Sequence, residues 1–276
     1  MATADGVERI AEAFARSRAD GRRAALMPYL MGGFPTLETS RAIALAYADA
    51  GADLVELGVP FSDPLADGPV IHAADTAALR AGATLPAVLK VARAISGRVP
   101  VIIMCYANPI LARGLERFLD ELVAAEVSGL IVPDLPLEEA TDARAACHAR
   151  GLAFVPLVAP TTPAGRLAEI CASASGFIYT VSVTGTTGER TGADDNPAHP
   201  LPAVIARASQ HAEVPVAVGF GIGTPEQAAA AAAAGADGVI VGSRLVRAAG
   251  EAPDPAAAVA ELVRGFSAAL SSSSVG

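Results

Sequence analysis

The chain has 276 residues, 52% of them hydrophobic, ample for a large buried core. Its formal net charge is −9, from 29 acidic and 20 basic residues, so a nucleic acid or other polyanion is not an expected partner. Residues 1–10 hold Asp5, Glu8 and no apolar core, so no signal peptide is expected, and no apolar run free of Gly, Pro and charge reaches the roughly 18 residues of a membrane span. Cys105, Cys147 and Cys171 have no paired spacing and read as reduced core thiols of a cytosolic protein.

In chain order, Val7–Ala19 has helical periodicity and is expected to plug the bottom of a barrel. Ala25–Met31 is the first of eight nearly continuous apolar runs. The others are Asp53–Gly58, Pro100–Tyr106, Gly129–Pro133, Phe154–Ala159, Phe177–Ser182, Pro215–Gly221 and Gly238–Gly242. Runs that do not alternate suit parallel strands buried on both faces. Between them lie helical segments such as Leu37–Ala50, Leu85–Ile95, Leu115–Ala125, Leu137–Arg150 and Pro225–Ala234. The alternation predicts α/β with a parallel sheet. Residues 271–276, beginning with Ser271–Ser274, are expected to be a disordered tail.

An internal echo favours a closed sheet. Ala50-Gly51-Ala52-Asp53 and Ala234-Gly235-Ala236-Asp237 each lead from a helix through a Gly into a buried strand. A doubly wound sheet also accommodates such a unit, but no Gly-x-Gly-x-x-Gly follows the first strand, since Met31-Gly32-Gly33-Phe34-Pro35 lacks that spacing. A (β/α)8 barrel typically needs roughly 250 residues, so residues 1–276 read as one barrel domain with an extra N-terminal helix.

The active site of such a barrel lies at the carboxyl ends of its strands. There Glu56 leaves the second strand and enters a loop, Leu57-Gly58-Val59-Pro60-Phe61-Ser62-Asp63-Pro64-Leu65-Ala66-Asp67-Gly68, with two more carboxylates. A buried strand has no structural need for a Glu at its exit, and a carboxylate in a partly dry place is suited to acid–base work. After the seventh strand, Gly219-Phe220-Gly221-Ile222-Gly223-Thr224-Pro225 reads as an amide nest ahead of a helix capped by Thr224. After the eighth, Val241-Gly242-Ser243-Arg244 starts a short extra helix. Two Gly loops at this pair of positions point to a phosphorylated substrate. Val183–His199, long and rich in Gly, Thr and Asp, reads as a mobile lid. Tyr179 and Tyr106 fall in strands, and Tyr106 reads as core packing. Asp134 reads equally as a turn cap or a ligand residue.

Two scarcities bear on mechanism. The only lysine, Lys90, sits in a predicted helix, so a Schiff base is not expected. His72, His148, His199 and His211 are scattered, so a metal site is not expected. Carboxylates then remain as acid and base, and the substrate has to bring its own electron sink.

Six motifs carry a strong resemblance to the tryptophan synthase alpha subunit family, over about Val7–Val246. They are residues 57–68, Tyr-Ala-Asn at 106–108, Val-Pro-Asp-Leu-Pro at 132–136, Val-Thr-Gly-Thr-Thr-Gly at 183–188, Gly-Phe-Gly-Ile at 219–222 and Val-Gly-Ser at 241–243. The resemblance implies a (β/α)8 TIM barrel that reversibly cleaves indole-3-glycerol phosphate to indole and glyceraldehyde 3-phosphate, with the protonated indole ring as electron sink. It implies Glu56 as general acid–base, Asp67 on the indole N–H, and Tyr179 near the reacting groups. Gly188, Gly221, Gly242 and Ser243 match phosphate contacts, and Thr187 matches a lid threonine that bonds to the Asp67 position. Tyr29, Met104, Ile131 and Leu157 or their neighbours would line the indole slot. The chain would need no cofactor of its own. Pyridoxal phosphate is expected only on a partner beta subunit in an αββα complex, with Asp63 a contact. The chain departs from many members at Gly33-Phe34-Pro35, Tyr29 and Ser182-Val183-Thr184. A stand-alone lyase that releases free indole is the alternative reading.

Overall fold

The computed structural model describes residues 5–181, 200–219 and 221–271. Asp5 accepts the Glu8 N–H at 2.8 Å and starts α1 (Gly6–Ala19). β1 (Ala25–Met31), α2 (Leu37–Ala50) and β2 (Val55–Gly58) form the first βαβ unit. α3 (Pro69–Arg80) and α4 (Leu85–Ile95) lead to β3 (Val101–Met104). α5 (Ala107–Arg113) and α6 (Leu115–Ala124) lead to β4 (Gly129–Ile131), and α7 (Thr141–His148) leads to β5 (Ala153–Phe154) and β6 (Leu157–Val158). Then come α8 (Ala164–Ala172), β7 (Ile178–Val181), α9 (Leu201–Ser209), β8 (Val216–Gly219), α10 (Pro225–Ala233), β9 (Gly238–Val241), α11 (Ser243–Glu251) and α12 (Pro255–Leu270).

Every strand pair is parallel, in the order β5-β4-β3-β2-β1-β9-β8-β7-β6. The two ends of that order, β5 and β6, are one run of chain divided at Val155-Pro156. The run Phe154–Ala159 expected as a single strand is therefore split, because Pro156 has no N–H to give to a ladder. The ring still closes across the break. Val155 N–H donates to the Leu130 carbonyl at 2.9 Å, and Tyr179 N–H donates to the Pro156 carbonyl at 3.0 Å. The eight expected strands thus form a closed (β/α)8 barrel, with β9 as the eighth.

The helix expected over Leu137–Arg150 runs only from Thr141 to His148. Its first residues are spent on turns, with Glu139 N–H bonded to Pro136 O and Ala140 N–H to Leu137 O. The glycine echo holds in three dimensions. Gly51 and Gly235 take φ of 102° and 100°, a region open to glycine, and each turns the chain from helix to strand. Asp53 and Asp237 then do the same job. Each carboxylate accepts a backbone N–H from a neighbouring strand segment, Leu26 at 2.8 Å and Val216 at 2.9 Å.

One apolar cluster lies between sheet and helices; a second fills the barrel interior. Ile10 and Phe14 of α1 join the interior cluster with Met27, Leu54, Ile102 and Phe177, so α1 closes the amino-terminal mouth as expected. Burying each such side chain contributes about 1.5–3 kcal/mol. With that end plugged, the opposite mouth holds the cavity described next. Ser271 pairs with Arg22 as an isolated antiparallel bridge, so the first residue of the expected tail is ordered. The rest of that tail lies outside the described residues. Among the described residues, no helix is long and apolar enough to cross a membrane.

Candidate active site

A cavity of about 670 Å3, counting its open mouth, sits at the carboxyl ends of the strands. Its size is typical of small-molecule sites. Glu56 and Tyr29 enter it from β2 and β1, where they are register partners. Tyr179 enters from β7 beside its register partner Leu157 of β6. Met104, Pro133 and Ile240 add apolar wall, and Ala66, Asp67 and Ile71 close one side. Gly221, Ile222, Gly242 and Ser243 form the opposite rim.

Glu56 is 1% exposed, and neither carboxyl oxygen has a hydrogen-bond partner. Burial, then the nearby charge of Asp67, pushes its carboxyl up to about 8. Asp67 is less deeply placed. Burial raises it to about 6, opposed by a hydrogen bond from Tyr106 and the charge of His72. The two carboxyls therefore share one cavity with separated titrations, the pattern by which one site holds an acid and a base at neutral pH.

Glycines make room for the two tyrosines. A Cβ on Gly58 would stand 2.2 Å from the Tyr29 hydroxyl, and one on Gly219 would stand 2.2 Å from the Tyr179 hydroxyl. Both phenols are buried, and burial with the neighbouring carboxylates raises both well above the ordinary tyrosine value.

The glycine rim lies at a helix start. α11 begins at Ser243, which lines the cavity with its N-cap Gly242, so the positive end of a helix dipole meets the cavity. The loop after β8 is only partly available as an amide nest. Gly223 and Thr224 give their N–H groups to the Gln227 side chain at 2.8 and 3.1 Å, completing the capping box of α10. Gly221, with φ of 76°, is the loop glycine at the cavity wall. Phe220, Thr187, Gly188 and the whole of Val183–His199 lie outside the described residues.

Other sequence candidates are placed as follows. Ile131 belongs to the interior core cluster, while its neighbour Pro133 stands at the cavity wall. Side chains along β4 alternate, with Leu130 in the cluster under the helices and Ile131 in the interior one, beside its register partner Met104 at the cavity wall. Asp63 is exposed at the loop tip and accepts from the Ser62 hydroxyl at 2.5 Å. Asp134 is a cap: its carboxylate accepts the N–H of Ala107, the first residue of α5, at 2.8 Å. Lys90 is an exposed residue of α4. All three cysteines are buried with free thiols. No group of three or more His, Cys, Asp or Glu suited to a metal occurs among the described residues.

Tyr106 is the residue that sequence reasoning missed. It is buried, as core packing requires, but its hydroxyl donates to Asp67 Oδ2 at 3.0 Å and accepts the Ala66 N–H at 3.0 Å. Its ring stacks on Phe61, with centroids 5.3 Å apart and planes at 30°. The one available signal was its place two residues beyond Met104 at a strand exit.

Known proteins share this fold and much of this sequence. The family model described as "Tryptophan synthase alpha chain" matches residues 14–271. The alpha chain of Prochlorococcus marinus (strain MIT 9313) is 50% identical over 240 residues, 86% of each chain. That of Picosynechococcus sp. is 43% identical over 259 residues, 92% of this chain and 97% of the relative. A structure of Mycobacterium tuberculosis tryptophan synthase superposes with a TM-score of 0.87 at 38% identity, covering 95% of this chain and 98% of that one. A structure of the tryptophan synthase α2β2 complex from Pyrococcus furiosus superposes with a TM-score of 0.80 at 34% identity, covering 88% and 97%. A barrel with this cavity, matched in sequence over nearly its whole length, belongs to the tryptophan synthase alpha chain family.

Proposed function

We propose that Glu56 and Asp67 carry the reaction, and that the observation supporting this best is their shared cavity with separated titrations. As a family member the chain is a carbon–carbon lyase, which cleaves indole-3-glycerol phosphate to indole and glyceraldehyde 3-phosphate in tryptophan biosynthesis. In this reading Glu56 starts protonated and gives its proton to C3 of the indole ring. Positive charge develops toward the ring nitrogen, and the Asp67 carboxylate accepts the indole N–H and stabilises that charge. Glu56, now ionised, takes the proton of the hydroxyl on the glycerol carbon attached to C3. That carbon becomes the aldehyde, its bond to C3 breaks, and the electron pair returns to the ring. Glu56 ends as it began. Burial favours the neutral starting acid, and Tyr106 favours the ionised Asp67.

Tyr29, Met104 and Leu157 are assigned to the apolar slot, with Ile131 beneath it, and Tyr179 stands beside the reacting groups. Gly221, Gly242 and Ser243 are assigned to the phosphate, joined by Gly188, with Thr187 closing over Asp67. No cofactor is assigned to this chain. Pyridoxal phosphate is assigned to the beta subunit, which we expect Asp63 to touch in an αββα complex. A cytoplasmic location accords with this biosynthetic role. The test is indole release from indole-3-glycerol phosphate with and without a beta subunit, for the wild type and Glu56→Gln. Turnover that rises with the partner and vanishes in the variant is expected. Equal turnover with and without partner would favour the stand-alone lyase, and an unchanged variant would remove Glu56 from the chemistry.

A further inference from the structure

Asp75 is a buried carboxyl that this mechanism does not use. It lies on α3, is 1% exposed, and one of its oxygens, Oδ2, has no hydrogen-bond partner. Its other oxygen accepts the Phe61 N–H at 3.0 Å. No lysine or arginine pairs with it among the described residues; the charged group acting on it is Asp67, which repels its ionised form. Tyr29 on β1 and Tyr106 after β3 also feel its charge, Glu56 on β2 acts on the same Tyr29, and His72, a turn earlier on α3, acts on Asp67. An ionised carboxylate in that setting would be unpaired, half-bonded and next to a second anion, which is costly.

We propose that Asp75 is a positioning residue for Asp67, and that it works as a neutral carboxylic acid. The segment Val59–Asp67 carries Asp67 and is tied to the rest of the barrel at few points. Val59 N–H donates to Met104 O at 2.8 Å, Phe61 N–H to Asp75 Oδ1, and Ala66 N–H to the Tyr106 hydroxyl. Between Phe61 and Ala66 the backbone hydrogen bonds among the described residues are local, such as Leu65 N–H to Asp63 O at 3.0 Å. Asp75 therefore holds the near end of an exposed tip, and Tyr106 holds the far end. The two anchors are also joined to each other, because the Phe61 ring stacks on Tyr106 and the Tyr106 hydroxyl holds Asp67. Fixing the Phe61 backbone fixes the ring that backs Tyr106, and so the direction in which Asp67 points. Burial raises the Asp75 carboxyl to about 7, which agrees with a neutral acid at the lower end of the working range.

The proposal rests on the role given to Asp67 above, and two kinds of readout separate their failures. Asp75→Asn keeps an oxygen acceptor and is neutral at every pH; Asp75→Ala removes the acceptor. Amide hydrogen exchange of residues 61–67 is measured together with kcat and KM for indole-3-glycerol phosphate cleavage in the presence of a beta subunit. Loss of one buried hydrogen bond predicts roughly 5–15-fold faster exchange and a similar fall in kcat for Asp75→Ala, with KM changed less, because Asp67 is most needed as charge develops. Asp75→Asn is expected to match wild type within about threefold in both. Wild-type exchange and kcat in Asp75→Ala refute the clamp. An Asp75→Asn as defective as Asp75→Ala refutes the neutral form. If wild type releases no indole, the reaction assigned above falls and exchange alone decides the clamp. Should Asp75→Ala fail to fold, unfolding of Asp75→Asn and wild type against pH decides the neutral form. A raised folded-state value means that ionisation is a cost growing from about pH 4 to about pH 7. Asp75→Asn should thus unfold at a higher temperature than wild type at pH 8.5 and at the same temperature near pH 4. A lower midpoint at pH 8.5 overturns the proposal.

Discussion

Glu56→Gln is expected to destroy turnover while making the folded chain more stable in mild alkali. Glu56 is 1% exposed, with both oxygens unpartnered, and its carboxyl is raised from 4.5 to about 8. The folded state keeps this proton where the unfolded state has lost it, so ionisation is a folding cost. That cost is absent below about pH 4.5, grows between 4.5 and about 8, and is constant above. A displacement of that size corresponds to about 5 kcal/mol at full ionisation, and to about half that if water enters the open cavity to solvate the anion. Glutamine has the same shape and no charge, so it avoids the cost. The variant should match wild type near pH 4 and exceed it by about 2–5 kcal/mol at pH 9. For a chain of this length that is a rise of roughly 5–15 °C in Tm. Calorimetry or circular-dichroism melts at pH 4, 6, 8 and 9 read this directly. Indole release should fall by roughly 10²–10⁴-fold, because an amide cannot move the proton. A variant no more stable than wild type at pH 9 refutes the view that this site stores an unpaired carboxyl at the expense of stability. Full turnover in the variant refutes its role in catalysis.

Three further outcomes follow from the same geometry. The kcat/KM profile should be bell-shaped, with apparent limits near pH 6 and pH 8 that belong to the Asp67–Glu56 pair, since the proposed mechanism needs Asp67 ionised and Glu56 protonated. A flat profile across pH 5.5–8.5 with chemistry rate-limiting would contradict the assignment. Tyr106→Phe removes the hydrogen bond that lowers the Asp67 value, so the acid limb should move to higher pH and kcat should fall roughly 5–15-fold; an unmoved limb would show that the hydroxyl does not hold Asp67. Gly219→Ala places a methyl 2.2 Å from the Tyr179 hydroxyl, inside a buried wall that cannot recede freely. It should cost about 1–3 kcal/mol in a denaturant titration and depress turnover, whereas wild-type values of both would mean that the ring yields without consequence.

Much of the architecture was legible in local chemistry. Helix α2 has the expected bounds because Thr36 caps its start and Gly51 ends it in the left-handed region. Lys90 lies in α4 because Leu85–Ile95 carries a strong apolar stripe, with Val88, Leu89, Ala92 and Ile95 buried. The misjudged elements are those decided elsewhere in the chain. The fifth strand divides where Pro156 breaks the ladder, yet its ends stay in the ring because Val155 N–H bonds to the Leu130 carbonyl and Tyr179 N–H to the Pro156 carbonyl. The amide nest after β8 is smaller than its glycines suggest, since Gln227 claims two of its N–H groups.

Residue type and spacing were enough to determine the parallel barrel, the strand exit that carries Glu56 and the glycine loops that follow β8 and β9. Each depends on periodicity, caps or backbone freedom within about ten residues of chain. Only the tertiary structure decided how the carboxyls differ. Tyr106 lies 39 residues from Asp67 and Asp75 lies 14 from Phe61, so no local pattern pairs them. Nor does sequence show how dry each carboxyl is. That depends on which strands and loops close around it, and here the enclosure raises Glu56 further than Asp67 and separates their titrations.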